Sequence, residues 1–134
     1  LERLQSFTMR EIIFFGNAEF VESCRKEIMD HCKKVMIEWG LKFRIVTASD
    51  PFFTSEAQLK RIYQTAMALK YEIQAYLPYL DKWISIASFN NHQDSLVNLY
   101  NISFNKKEQL VSGCVGYGYE RMGLVRLSQL GFNK

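Results

Sequence analysis

The chain has 134 residues, 48% hydrophobic and 14% aromatic, enough apolar content to bury one core and too much for a disordered segment. Its formal charge of +3 comes from lysines and arginines scattered along the sequence, which does not suggest the basic block of a large nucleic-acid footprint. No apolar run approaches the roughly 20 residues of a membrane span, and no secretory leader opens the chain, so the expectation is a soluble, cytoplasmic protein of one domain or part of one.

In chain order, residues 7–15 alternate like a strand. Residues four apart on a strand share a face. Phe7 and Glu11, with Arg3 if the strand reaches back that far, would form a row of cation, aromatic plate and carboxylate. Residues 17–39 follow as a helix, with Phe20, Cys24, Ile28, Cys32, Val35 or Met36, and Trp39 at helical spacing; Asn17 can cap its start and Gly40 can end it. Cys24 and Cys32 read as small core residues of that helix. Residues 41–47 form a second strand broken by Asp50-Pro51, and residues 55–69 are either a helix capped by Ser55 or a connection with helical turns.

Residues 70–76, 82–89 and 97–104 have strand character, and Leu77-Pro78 turns the first of them. The last elements are a strand entering Gly113-Cys114-Val115-Gly116-Tyr117-Gly118 and a helix over residues 119–130 that ends at Gly131. There is no repeat, low-complexity tract or linker. The order, a strand, a long helix, then mostly strands and a closing helix, predicts an α+β fold in which an antiparallel sheet is backed by helices.

Two segments carry candidate chemistry. At the C-terminal end, glycines let backbone approach a bulky anion, and a helix start with Arg121 near it supplies positive potential and fork-shaped donors for a phosphate. The alternative is close packing of strand against helix. At the other end, a ring such as Phe7 can stack on a base for roughly 1–3 kcal/mol while Arg3 meets phosphate. An ordinary amphipathic strand with a salt-bridged rim is the alternative there.

Together these segments resemble the second and third signature motifs of the class II aminoacyl-tRNA synthetase catalytic domain. Between them, Ala66 to Pro78, then Ile86-Ala87-Ser88-Phe89-Asn90-Asn91-His92-Gln93-Asp94 and Leu99-Tyr100-Asn101-Ile102, look like the core of the seryl-type enzymes. The likeness leaves out roughly residues 52–64. Two departures narrow it. Seryl enzymes carry an acid for ATP-bound magnesium where this chain has Ser85, and paired arginines where it has Asn98 and Leu99. The run Gly116-Tyr117-Gly118-Tyr119-Glu120-Arg121, with Cys114 just ahead, looks more like the amino acid:[carrier protein] ligases, which activate a small amino acid with ATP and pass it to a phosphopantetheine thiol.

The resemblance implies a single partial catalytic domain over residues 1–134, from the second strand of motif 2 to the helix of motif 3. It places ATP on Arg3, Phe7, Gly116, Gly118 and Arg121, with Arg121 catalytic, and the amino acid on Glu72, Ser88, Asn90 and Asn91. It implies ATP, Mg2+ and Zn2+, the zinc held by two cysteines and a glutamate that bind the substrate amine. Glu11 and Cys114 match two of those ligands; the first cysteine and a nearby Arg-x-Glu pair have no match, so the expectation is the C-terminal part of a longer protein, a homodimer through segments outside this sequence. Cys114 read plainly is a packed thiol on a strand. Glu72 with Lys70 could equally be a surface ion pair, and Ser88, Asn90 and Asn91 a polar turn after a strand. His92, as a loop histidine, stays outside the metal set.

Chemistry explains why such residues would belong together. Attack of an amino acid carboxylate on the α-phosphate needs in-line positioning and charge neutralisation more than a proton-transferring group. Zinc would select a free α-amino group. Two further readings stay open: a seryl-tRNA synthetase that charges tRNA, and a non-catalytic relative that keeps the fold, motivated by Ser85 and the incomplete ligand set.

Overall fold

The computed structural model describes residues 4–48, 69–104 and 109–131. Its elements are β1 (Met9–Gly16), α1 (Ala18–Glu38), β2 (Phe43–Thr47), β3 (Lys70–Leu77), β4 (Lys82–Gln93), α2 (Ser95–Leu99), β5 (Val111–Gly118) and α3 (Tyr119–Leu130). The strands form one antiparallel sheet in the order β1-β5-β4-β3-β2, as the α+β reading predicts. The readings that involve Arg3, the Asp50-Pro51 break and residues 55–68 lie outside the described residues. No helix among the described residues is long and apolar enough to cross a membrane.

Sheet register separates two faces, because cross-strand partners project to the same side. The rungs Ile12–Val115–Phe89–Tyr71 and Tyr117–Ala87–Ile73–Ile45 face α1 and α3. Phe89, Val115 and Ile73 are fully buried there against Val21, Cys32 and Met36 of α1 and Val125 of α3. The opposite face carries Glu11, Ser88, Asn90, Glu72 and Lys70.

Helix α1 starts as its sequence predicts, with Asn17 Oδ1 accepting the Phe20 N–H at 2.8 Å, and Gly40 follows its end at a φ of 66°. Its inward stripe is the expected one from Cys24 to Trp39 and differs at the start, where Phe20 is exposed while Val21 and Arg25 are buried. A buried cation holds its place because Glu22 pairs with Arg25 at 2.7 Å and the Tyr71 ring lies 5.0 Å beneath its guanidinium. All three cysteines are free; Cys32 is buried and Cys24 packs at the core margin.

Three local expectations are corrected. Residues 95–99 form α2 instead of the first half of a strand over 97–104, since Asn98 N–H closes onto the Asp94 carbonyl at 2.8 Å and the Asn98 amide onto the Asp94 carboxylate at 3.0 Å. The alternation seen there does not track burial: Val97 is buried, and Leu99 and Phe104 are exposed. Ser88, Asn90 and Asn91 do not form a turn but continue β4, which pairs through them with both β3 and β5. His92 likewise belongs to β4 and is half-buried.

Candidate functional site

Two rungs of this polar face hold the chemistry-bearing residues. One runs Glu11–Gly116–Ser88–Glu72, the next Ile13–Cys114–Asn90–Lys70. Above the first rung lies a hollow of about 150 Å3 lined by Phe7, Met9, Lys70, Glu72, Ser85, Ser88, Gly116, Gly118 and Arg121 among others. It brings together residues from both ends of the chain. Phe7 and Arg121 border the same space, with the two glycines between them leaving the strand surface low.

Phe7 does not lie on the strand, as the alternation predicts; β1 begins at Met9. Its position is set instead by its neighbour. The Thr8 N–H donates to the Glu120 carboxylate at 2.9 Å, and the Tyr119 N–H donates to the Thr8 carbonyl at 3.0 Å. These bonds tie the approach to β1 onto the first turn of α3. They also engage that helix start, so the donor offered to an anion is Arg121 more than the helix terminus. Half-buried Arg121 uses one N–H on the Ser85 carbonyl at 3.1 Å, which aims the guanidinium across the sheet and leaves further donors for the hollow.

The Glu120 tie has a pH signature. Hydrogen bonds from its own backbone N–H and from that of Thr8 hold its carboxyl below the usual glutamate range. A depressed carboxylate pKa contributes stability above the ordinary value and loses it as pH falls through the folded one. We expect the Thr8 amide resonance to titrate below the ordinary glutamate range in the intact protein and to stop titrating in Glu120→Gln. A Thr8 shift that titrates identically in both would show that the bond is absent in solution.

Glu72 is a carboxylate in the floor of the hollow. Ser85 Oγ donates to it, the Gln74 amide stands 3.5 Å away and Lys70 Nζ 3.9 Å away. A β-bulge between Ile73 and Gln74, opposite Ile86, permits this by bringing Ser85 into register with Gln74. The residue standing where seryl enzymes carry an acid thus holds the acid of the adjacent strand.

Of the residues expected to hold an amino acid, Glu72 and Ser88 line the hollow, and Asn90 sits one rung away with its amide 3.3 Å from both Ser88 Oγ and Cys114 Sγ. Asn91 is not brought in. It pairs with Gly113 on the other face and its side chain accepts the Gln93 N–H at 2.9 Å.

Glu11 and Cys114 share the face on neighbouring strands. Burial pushes the Cys114 thiol up, the Asn90 hydrogen bond draws it down, and the Glu11 charge pushes it up again. A cation between them would relieve that opposition, and a thiolate with a carboxylate is a donor pair that suits zinc. The pair fits in kind and not in number: among the described residues no group of three His, Cys, Asp or Glu stands in metal-holding geometry.

No protein-family profile matches the chain. It is 33% identical over 124 residues to amino acid--[acyl-carrier-protein] ligase 2 of Bradyrhizobium diazoefficiens, covering 92% of this chain and 37% of that protein. It is 31% identical over 139 residues to the type-2 serine--tRNA ligase of Methanopyrus kandleri, covering 98% of this chain and 26% of that one. The crystal structure of M. kandleri seryl-tRNA synthetase in complex with Aquifex aeolicus tRNASec superposes with a TM-score of 0.82 at 28% identity, over 98% of this chain and 26% of that one. The chain has the fold of a class II aminoacyl-tRNA synthetase catalytic domain, and the relatives it resembles are ligases. It spans between a quarter and two fifths of the length of the curated relatives it matches.

The two strands whose sequences resemble the second and third class II motifs, β1 and β5, are neighbours in the sheet. Sequence reasoning missed the Thr8–Glu120 tie, the Glu72–Ser85 bond and the contacts of His92. No local pattern marks the first. The second had a signal in Ser85, noted as a departure without its partner. For His92 the signal was strict alternation from Ser88 and Asn90, which places it on the polar face.

Proposed function

We propose that this chain contributes the nucleotide and amino acid floor of an ATP-dependent ligase, which activates a small amino acid as an aminoacyl-adenylate and transfers it to the phosphopantetheine thiol of a carrier protein. The observation that carries the reading is the shared hollow of Phe7, Arg121, Gly116 and Gly118 with Glu72 and Ser88. Phe7 offers a ring to the base and Arg121 a guanidinium to the phosphates. Gly116 and Gly118 let the nucleotide approach the strand, and Glu72 with Lys70 offers complementary charges to a zwitterionic amino acid. Arg3 would add a second guanidinium.

Mg2+, when bound, would neutralise phosphate charge; Glu72 is the carboxylate that borders the hollow among its described residues. Zn2+, when bound, would capture the substrate amine, with Glu11 and Cys114 as two of its donors and a third from outside the described residues. The protein's own contribution is positioning: no described side chain needs to take a proton in the activation step.

The test is ATP–pyrophosphate exchange by the intact, zinc-loaded protein with each small amino acid in turn. Amino-acid-dependent exchange that a chelator abolishes is the expected result, and no exchange with any of them would refute the reading. The second reading, transfer to tRNA by a homodimeric synthetase, is favoured by the TM-score of 0.82 to a tRNA-bound seryl enzyme. Incubation of the activated amino acid with carrier protein or tRNA separates the two acceptors.

A further inference from the structure

A second space lies on the face of the sheet that packs against the helices. The rung Ile73–Ala87–Tyr117 projects opposite to the rung Glu72–Ser88–Gly116, and between it and the helices is a cavity of about 150 Å3. Cys32 and Met36 of α1 and Met122 of α3 close its sides. Ile86 and Ala87 border both this cavity and the hollow described above, so the thickness of β4 separates the two spaces. His31 at the rim is exposed, which leaves a way in from solvent.

Close-packed interiors keep few voids larger than a water molecule, and the chemistry of this one selects its occupant. An ordered water needs roughly two to four polar partners. Inside the rim, the lining side chains offer a single polar pair, in which Cys32 Sγ stands 2.9 Å from the Tyr117 hydroxyl. An apolar cavity of about 150 Å3 takes a benzene-sized ring, and methionine side chains adapt to the edge of an aromatic guest.

The pair defines the polar group of that guest. If the Tyr117 hydroxyl donates to sulphur, its oxygen is left to accept; if the thiol donates, the hydroxyl proton is left to donate. A guest hydroxyl suits either arrangement, because it both donates and accepts. Burial pushes the Cys32 thiol and the Tyr117 hydroxyl up, which keeps both neutral near pH 7, and the interior offers a charged guest no partner.

We propose that this cavity is a binding site for one small, neutral, ring-shaped molecule carrying a hydroxyl, its ring among Ile73, Met36 and Met122 and its hydroxyl on the Cys32–Tyr117 pair. The site is separate from the nucleotide and amino acid floor and stands whether or not that reading holds.

The experiment titrates the intact protein, methyl-labelled at methionine and isoleucine, with phenol and with benzene, followed by NMR. Phenol should give saturable shifts at the Met36, Met122 and Ile73 methyls; no shifts, or shifts confined to other methyls, overturn the proposal. Tyr117→Phe should weaken phenol binding about 5- to 100-fold, the cost of burying a hydroxyl without its partner, and leave benzene binding unchanged. Equal weakening of both, or of neither, overturns the proposal. Val35→Phe, which fills the cavity from α1, should abolish binding of both, and phenol shifts retained in that variant overturn the proposal. Where Tyr117→Phe fails to fold by circular dichroism, nuclear Overhauser contacts in the wild type decide: contacts from the phenol ring to the Met36 and Met122 methyls support the proposal and their absence overturns it.

Discussion

Replacing Arg121 by alanine should lower amino-acid-dependent pyrophosphate exchange by about 10²- to 10³-fold, the loss expected when one preorganised donor to developing charge is removed. The guanidinium is braced by the Ser85 carbonyl at 3.1 Å and reaches the hollow that Phe7 also borders. Because the phosphates redistribute charge as the carboxylate attacks, the loss should appear in kcat as well as in the KM for ATP. Arg121→Lys should recover only part of the rate, since an ammonium is a point charge without the fork that meets phosphate and carbonyl together. An Arg121→Ala enzyme with wild-type exchange would place the phosphates elsewhere.

The second large effect concerns stability and falls on a glycine of β5. A Cβ at Gly113 would lie 2.5 Å from Phe14 Cε2 and 2.9 Å from the Asn90 carbonyl oxygen. Phe14 is buried, and the carbonyl belongs to the backbone of the central strand β4, so neither can withdraw without opening the sheet. Gly113→Ala should therefore destabilise the fold by about 3 kcal/mol, read as a lower urea midpoint at unchanged m-value. At Gly116 the corresponding Cβ would meet only the Met9 methyl at 2.9 Å and Glu11 side-chain atoms at 3.5 Å. A flexible tip can move, so Gly116→Ala should fold nearly normally and act on the hollow instead. Equal midpoints for Gly113→Ala and the wild type would contradict this assignment of packing to one glycine and access to the other.

That contrast shows how far the glycine-rich segment can be read as a string. Close packing holds at Gly113, whereas Gly116 and Gly118 border the hollow, which is where the proposed anion approach would take place. Spacing cannot assign them, because what surrounds each Cα comes from β1 and β4. Alternation failed in a similar way over residues 97–104, where apolar residues at strand spacing are partly exposed and Asp94 starts a short helix. On α1 the predicted stripe is in the core except at its first position, where Phe20 is exposed, and it also admits Arg25, which lies over the Tyr71 ring of β3.

What the sequence settled unaided is local in origin: the strand alternation of β1 and β3, the capped helix from Asn17 to Gly40, the strand-to-helix passage around Gly118, and the order of motifs that carries the class II likeness. Each depends on residues within a few positions of one another, so periodicity and capping encode it directly. The meeting of Phe7 with Arg121, the bond between Thr8 and Glu120 across 112 residues, and the seating of His92 and Asn90 around Cys114 were decided only by tertiary structure. They arise from the antiparallel registers of β1 with β5 and of β5 with β4, including one slip. Register is chosen by the burial of a whole sheet face against α1 and α3, a balance that no short window of sequence contains.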